Sequence, residues 1–135
     1  MIFRTPIKTS RILLRNESPK DFERYFSMSV DPEVMKYIGD GSIFHWTKDV
    51  ALEKFTKRYS RQDDSEYGNL SVYREDRDLY IGWCGVCYSR FLDHIELSYR
   101  YCSDSWNRGY ATEAASAIIK EAYQVTDLDE IHACT

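Results

Sequence analysis

Apolar and polar positions divide the chain into three stretches of different texture. In "IKTSRILLRNES" the apolar residues Ile12, Leu13 and Leu14 predict an early strand, ended by the turn signals of Asn16 to Pro19. Helical spacing then takes over. "SPKDFERYFSMSV" offers Ser18 as N-cap, Pro19 at the first helical position and Asp21 three residues after the cap, with Phe22, Tyr25 and Phe26 as its apolar stripe. "DPEVMKYIG" repeats the recipe with Asp31, Pro32 and Glu33 and predicts a short second helix stopping at Gly39. "DGSIFHW" reads as a loop, and "TKDVALEKFTKRYSRQ" as a third helix with Val50, Leu52, Phe55 and Tyr59 mostly on one side.

After the polar break "QDDSE" the pattern returns to strands. "GNLSVYRE", "DLYIGWCGVCYS" and "HIELSYRYCS" predict three of them, with turns near Glu75–Asp78 and Arg90–Asp93. Connections this short imply antiparallel neighbours. The stretch from Trp106 to Tyr123 follows as a helix, with Ala111, Ala114, Ala115, Ile118, Ile119, Ala122 and Tyr123 in the i, i+3, i+4, i+7 series. "LDEIHACT" ends the chain as one more strand, so strand, helix and strand form a parallel βαβ crossover. The expected fold class is a single mixed α/β (α+β) domain over residues 1–135: an antiparallel meander followed by that crossover.

Composition narrows the function classes. The 135 residues are 43% hydrophobic and 30% charged, which suits one globular domain. Aromatic residues make up 15%, eleven of them Tyr, enough for a well-built core or a lined cleft. Net charge is −4 with no Lys/Arg block, which argues against nucleic acid as a partner. No apolar run approaches the ~18 residues that span a bilayer. The first residues, "MIFRTPIKTSR", lack the apolar core of a signal peptide. The expectation is a soluble cytoplasmic protein with no membrane partner. Cys84 and Cys87 form a C-x-x-C, but residues three apart on a strand face opposite ways, and no second pair or His pair completes a zinc site. Buried thiols, and no metal, are expected.

The last helix begins with Asn107-Arg108-Gly109-Tyr110-Ala111, without the Ser, Thr or Asp that caps most helices. Its first amides and the positive end of its dipole form an anion site, and Arg108 adds a charge beside it. No phosphate loop of the G-x-x-x-x-G-K-[ST] type is present, and a dinucleotide fingerprint would need three glycines where only Gly109 stands. Residue chemistry alone leaves two readings open: a diphosphate cradle, or a tight turn whose glycine ends the loop.

The wording of the sequence adds to this. "IELSYRYCSDSWNRGYATEA" closely resembles motif A of the GNAT N-acetyltransferases, in the branch that acetylates ribosomal-protein N-termini at alanine or serine. The superfamily pattern Q/R-x-x-G-x-G/A, with Trp often first in this branch, reads here Trp106-Asn107-Arg108-Gly109-Tyr110-Ala111, followed by Thr112-Glu113-Ala114. "TSRILLR", "DPEVMKYIGDG" at residues 31–41 and "YIGWCGV" match in the same order, so the resemblance spans nearly the whole chain. It implies a GNAT-like central mixed sheet with helices on both faces and acetyl-CoA as co-substrate. The backbone amides of Asn107, Arg108, Gly109, Tyr110 and Ala111, with the Thr112 hydroxyl, would wrap its pyrophosphate. The strand Glu96 to Tyr101 would run beside the pantetheine arm, with Tyr101, Cys102 and Ser103 near the thioester.

The implied reaction is acetyl transfer to a primary amine, on a protein N-terminus or a small molecule; the alternatives are an acetyl-CoA-binding domain without significant turnover and a non-catalytic remnant acting through self-association. Glu96 is the candidate general base. It shares a strand face with Ser98 and Arg100, opposite Ile95, Leu97 and Tyr99, and reads equally as a solvent-exposed or Arg-paired carboxylate. His94 and His45 lack an orienting neighbour, and His132 suits a structural role. Tyr37 and Trp46 are candidates for the acceptor pocket and equally ordinary as core aromatics. The family pattern continues past the position of Thr135 with a further helix and two strands, so a domain truncated at its C-terminus is expected, with an unpaired final edge and a homodimer covering it.

Overall fold

The described residues form six strands and four helices. A computed structural model describes residues 3–62, 68–90 and 92–133. The expectations that fall on residues 63–67, on Phe91, on Cys134–Thr135 and on the Tyr59 side chain lie outside it. The strands are β1 (Ile7–Lys8), β2 (Ile12–Asn16), β3 (Gly68–Arg74), β4 (Leu79–Ser89), β5 (His94–Tyr101) and β6 (His132–Ala133). The helices are α1 (Phe22–Ser29), α2 (Pro32–Met35), α3 (Lys48–Gln62) and α4 (Tyr110–Val125).

The sheet order is β1-β2-β3-β4-β5-β6, antiparallel except for the parallel pair β5–β6. This is the expected meander and βαβ crossover, with α4 as the crossover helix. The early strand is in fact a hairpin: Thr9-Ser10-Arg11 turns the chain so that Ile7 pairs Leu14. None of these turn residues is Gly or Pro, so the break carried no sequence signal.

Helices cover both faces. On one face α4 sets Tyr110, Ala114, Ile118 and Ala122 against Ile12, Leu14, Leu70, Val72, Ile81 and Val86. On the other, Met28 of α1 and Val34 of α2 pack on Tyr73, Tyr80 and Trp83. Farther out, Phe22 meets Ala51 and Phe55 of α3. A bulge in β4 divides these layers. Val72 pairs Gly82 while the next residue, Tyr73, pairs Tyr80, so Ile81 is the extra residue. Ile81 and Cys84 therefore face α4, while Tyr80 and Trp83 face α1 and α2. Gly82 is needed beside it: a Cβ there would lie 2.2 Å from the Arg100 carbonyl oxygen on β5.

Local caps explain the early helices. Pro19–Asp21 forms a 3-10 turn before α1, and the buried Asp21 carboxylate accepts the Ser18 N–H at 2.9 Å and the Ser71 hydroxyl at 2.7 Å. Asp31 caps α2 by accepting the Glu33 N–H at 3.0 Å. That helix ends at Met35, before the expected stop at Gly39. The loop "DGSIFHW" contains a 3-10 turn, Ser42–His45.

Two helical faces differ from expectation. On α3, Val50 and Leu52 are exposed and the buried stripe is Ala51 and Phe55. On α4, Tyr123 is exposed and Glu121 is buried. Arg4 accounts for the latter: its N–H, Nε and Nη2 all donate to the Glu121 carboxylate, at 2.9, 2.9 and 3.0 Å. Cys84 and Cys87 point to opposite faces, as expected, but only Cys84 is a buried thiol; Cys87 lies on the outer face near the end of β4 and is exposed, against expectation.

Candidate active site

The chain leaves β5 through a 3-10 turn, Ser103–Ser105, and a loop that enters α4 at Tyr110. Asn107 has φ 61° and Gly109 φ 81°, both in the left-handed region. Such residues aim successive amides toward one side and make a concave donor surface. Gly109 occupies the cap position of α4 and offers no side-chain bond. The first bond inside the helix runs from the Glu113 N–H to the Gly109 carbonyl, at 3.1 Å. The described hydrogen bonds use none of the amides of residues 107–112. A row of free amides at the positive end of a helix favours an anion.

Three anchors fix this loop. Arg11, in the β1–β2 turn, donates Nη1–H to the Arg108 carbonyl at 2.8 Å and Nε–H to Glu113 at 2.7 Å. Glu113 also accepts the Arg11 N–H at 3.0 Å and the Thr9 hydroxyl. Burial disfavours the Glu113 charge, but the Thr9 and Arg11 donors outweigh it and hold the carboxyl below its ordinary pKa. The Trp106 Nε1–H donates to the Tyr101 carbonyl at 3.0 Å. The Ser103 hydroxyl donates to Asp31 at 2.7 Å, and this bond leads in holding the Asp31 carboxyl below its usual range. A loop tied at both ends is organised before any ligand arrives.

The loop borders a cleft of about 450 Å³, within the range typical of small-molecule sites. Val34 and Ile38 form one wall, Tyr99, Arg100 and Tyr101 another, and Trp106, Asn107, Gly109, Tyr110, Ala111 and Thr112 the floor. Seven of the residues expected at the cofactor thus line one cavity: Tyr101, Trp106, Asn107, Gly109, Tyr110, Ala111 and Thr112. Arg108 lies on the exposed side of the same loop. Cys102 and Ser103, expected at the cofactor too, are not among the lining residues. The Cys102 N–H donates to the Ile81 carbonyl at 2.9 Å, and burial pushes its thiol up to about 11. Burial also raises the Tyr101 phenol, so both groups are protonated at neutral pH.

Glu96 sits on the face of β5 away from α4, paired across the ladder with Cys87 on one side and His132 on the other. Ser98 and Arg100 share that face, as expected. The His94 and His132 rings stack at 4.0 Å, and His132 meets Glu130 at 2.9 Å. Trp46 packs with the Phe22–Phe55 cluster, under the Lys54 ammonium at 4.8 Å. Tyr37 is 89% exposed, while its neighbours Val34 and Ile38 line the cleft. His45 is exposed in the loop before α3. Among the described residues no cluster of His, Cys, Asp and Glu is arranged to hold a metal ion, and no helix is long and apolar enough to cross a membrane. Sequence reasoning missed Arg11 and the job of Glu113, although both lie in the quoted stretches "TSRILLR" and "YATEA".

The groups present fit acetyl-CoA: the free amides suit a diphosphate, and without a Cβ at Gly109 the loop is open there, a Cβ meeting only Arg11 Nη2 at 3.3 Å. Comparisons agree. The Acetyltransferase (GNAT) domain family matches residues 11–135. A Bacillus subtilis (strain 168) relative, the uncharacterized N-acetyltransferase YnaD, is 32% identical over 127 residues, covering 93% of this chain and 69% of its own. The crystal structure of a GNAT-family acetyltransferase from Bacillus anthracis matches with a TM-score of 0.76 at 25% identity, over 96% of this chain and 72% of that one. The microcin C7 self immunity acetyltransferase MccE, solved with acetyl-CoA and AMP, shares the fold with a TM-score of 0.76 at 12% identity, over 96% of this chain and 73% of its own. The chain belongs to the GNAT family of acetyl-CoA-dependent acetyltransferases.

Proposed function

We propose that this chain acetylates a primary amine, on a protein N-terminus or a small molecule, holding acetyl-CoA in the cleft between β5 and α4. One observation carries the reading: the unused amides of residues 107–112 at the uncapped start of α4, facing that cleft. When bound, acetyl-CoA supplies an acetyl group activated as a thioester. The loop amides and the Thr112 hydroxyl bind its diphosphate, and Arg108 adds a positive charge. Tyr99 and Tyr101 wall the pantetheine path along β5. Trp106 keeps the loop in place through its bond to the Tyr101 carbonyl. Glu96 would accept the proton that the amine loses as its nitrogen bonds to the acetyl carbon, while the carbon–sulfur bond breaks and CoA leaves as a thiolate that takes up a proton from solvent.

Tyr37 and Trp46 belong to this reading as the outer rim of the acceptor side. Self-association through β6, the last strand of the described sheet, belongs to it too, and light scattering on purified protein checks it: a clean monomer removes that part. The central test is calorimetric titration of acetyl-CoA, followed by thiol release over a panel of amines and peptide N-termini. Saturable binding with acceptor-dependent thiol release is expected. Absence of binding overturns the reading, and binding without release under any acceptor reduces the chain to a binding module.

A further inference from the structure

The face of β5 turned away from α4 carries an unusual cation. Arg100 lies opposite Trp83 of β4, partly buried at the end of the cleft. Nearby guanidinium groups have carboxylates: Arg58 pairs with Glu17 at 2.9 Å and Arg24 with Asp104 at 3.4 Å. Arg100 has no ion pair or hydrogen bond among the described residues, and its Nε is sealed from solvent without an acceptor. The Trp83 Nε1–H beside it is in the same condition. The Arg100 guanidinium carbon lies 5.6 Å from the Trp83 ring centroid, and that of Arg58 lies 4.5 Å from it. Burial pulls Arg100 below its ordinary pKa, which registers the cost of holding the charge there. Buried donors are nearly always paired, and a solitary cation is costlier than a neutral one. A ligand that brings an acceptor relieves both.

Resting on the acetyltransferase reading above, we propose that Arg100, with the Trp83 indole N–H, binds a carboxylate of the acceptor, so that the preferred acceptor is a peptide with Asp or Glu close behind its N-terminal amine. A planar guanidinium fork suits a carboxylate. The diphosphate has its own donors on the loop at the start of α4, whereas Arg100 sits on the layer of α1 and α2 with Glu96. Glu96 and Arg100 are four residues apart on one strand, about 13 Å at ~3.3 Å per residue. An acceptor meeting both carries its acidic group several bonds from its amine. A peptide does this; a free amino acid, with both groups on one carbon, does not.

Affinity for the acceptor can be read by calorimetry on the full chain saturated with CoA, where no turnover is needed. Two peptides serve as probes, differing only by Glu against Gln at the second and third residues. The Glu peptide should bind about tenfold more tightly, the range expected for a hydrogen bond to a charged group. Arg100→Gln should remove that preference in a chain that acetyl-CoA still saturates; it deletes a buried charge, and a thermal melt checks that it folds. Arg100→Lys, which keeps the charge and loses the fork, should fall between. Equal affinity for the two peptides on a chain that binds acetyl-CoA overturns the Arg100 assignment alone. So does a preference that survives Arg100→Gln, or an Arg100→Gln variant that loses acetyl-CoA instead. Failure of acetyl-CoA to bind the wild type overturns the acetyltransferase reading first, and this one with it.

Discussion

Replacing Gly109 with Glu puts a carboxylate where the loop amides converge. Two effects separate by magnitude. The first is backbone: Gly109 has φ 81°, and a side chain in the left-handed region costs about 1–2 kcal/mol. The Cβ itself meets only the far end of Arg11, at 3.3 Å, which can give way. The second is charge. At about 5 Å and an effective dielectric of ~20, one carboxylate repels one phosphate charge by about 3 kcal/mol, more than a hundredfold in affinity. Gly109→Ala carries the first effect alone, and Gly109→Glu carries both. Urea denaturation without ligand should therefore show similar losses of stability for the two variants. Acetyl-CoA calorimetry should separate them, with Gly109→Ala keeping most of its affinity and Gly109→Glu losing about two orders of magnitude. Gly109→Glu binding within threefold of wild type would falsify the cradle. Gly109→Ala as weak as Gly109→Glu would show that loop shape, and not a negative ligand, decides the affinity.

Three further outcomes follow from the packing. Arg11→Ala and Glu113→Gln should be strongly non-additive in a double-mutant cycle on acetyl-CoA affinity, with a coupling of about 1 kcal/mol; additive losses would mean that the clamp does not organise the loop. Stability should fall in acid, because Glu113 and Glu121 titrate below their ordinary values in the folded chain. Depressed carboxyls stabilise above their unfolded pKa of about 4.3 and lose that contribution as pH drops through the folded value. The Glu113→Gln, Glu121→Gln double variant should flatten the melting temperature profile between about pH 5 and 3, and an unaltered slope would assign the acid loss elsewhere. Ile118→Ala, at a fully buried site on α4, should cost about 2–5 kcal/mol in urea unfolding; a loss under about 1 kcal/mol would mean that the helix repacks freely onto the sheet.

Local signals made the later half of the chain readable. Alternation and turn residues marked β3, β4 and β5, and the missing cap of α4 marked the loop. Features that depend on distant partners were hidden. The stripe on α3 follows Ala51 and Phe55 because Phe22 of α1 packs there, and apolarity alone favoured Val50 and Leu52. Glu121 reads as a solvent-facing residue until Arg4, 117 positions away, covers it. The same holds at the site. Its amides follow from a gap in one short segment, whereas the clamp joins Arg11 to Glu113 across 102 positions. Arg100 was visible as a strand residue, but its lack of a partner is a property of the assembled layers.

The extra residue in β4 acts as a change of phase within a single strand. Up to Ile81 the odd-numbered positions face α4; from Cys84 onward the even-numbered ones do. Parity counted along "YIGWCGV" therefore misassigns every side chain on one side of the slip. Deleting one residue between Tyr80 and Trp83 would restore unbroken alternation. Tyr80 and Trp83 would keep their common face, whereas straightening the strand with every residue retained would carry Trp83 toward the helix that seats the cofactor loop, or Leu79 and Ile81 away from it. The slip itself, more than the chemistry of any one side chain, keeps the diphosphate layer and the Arg100 layer from trading residues.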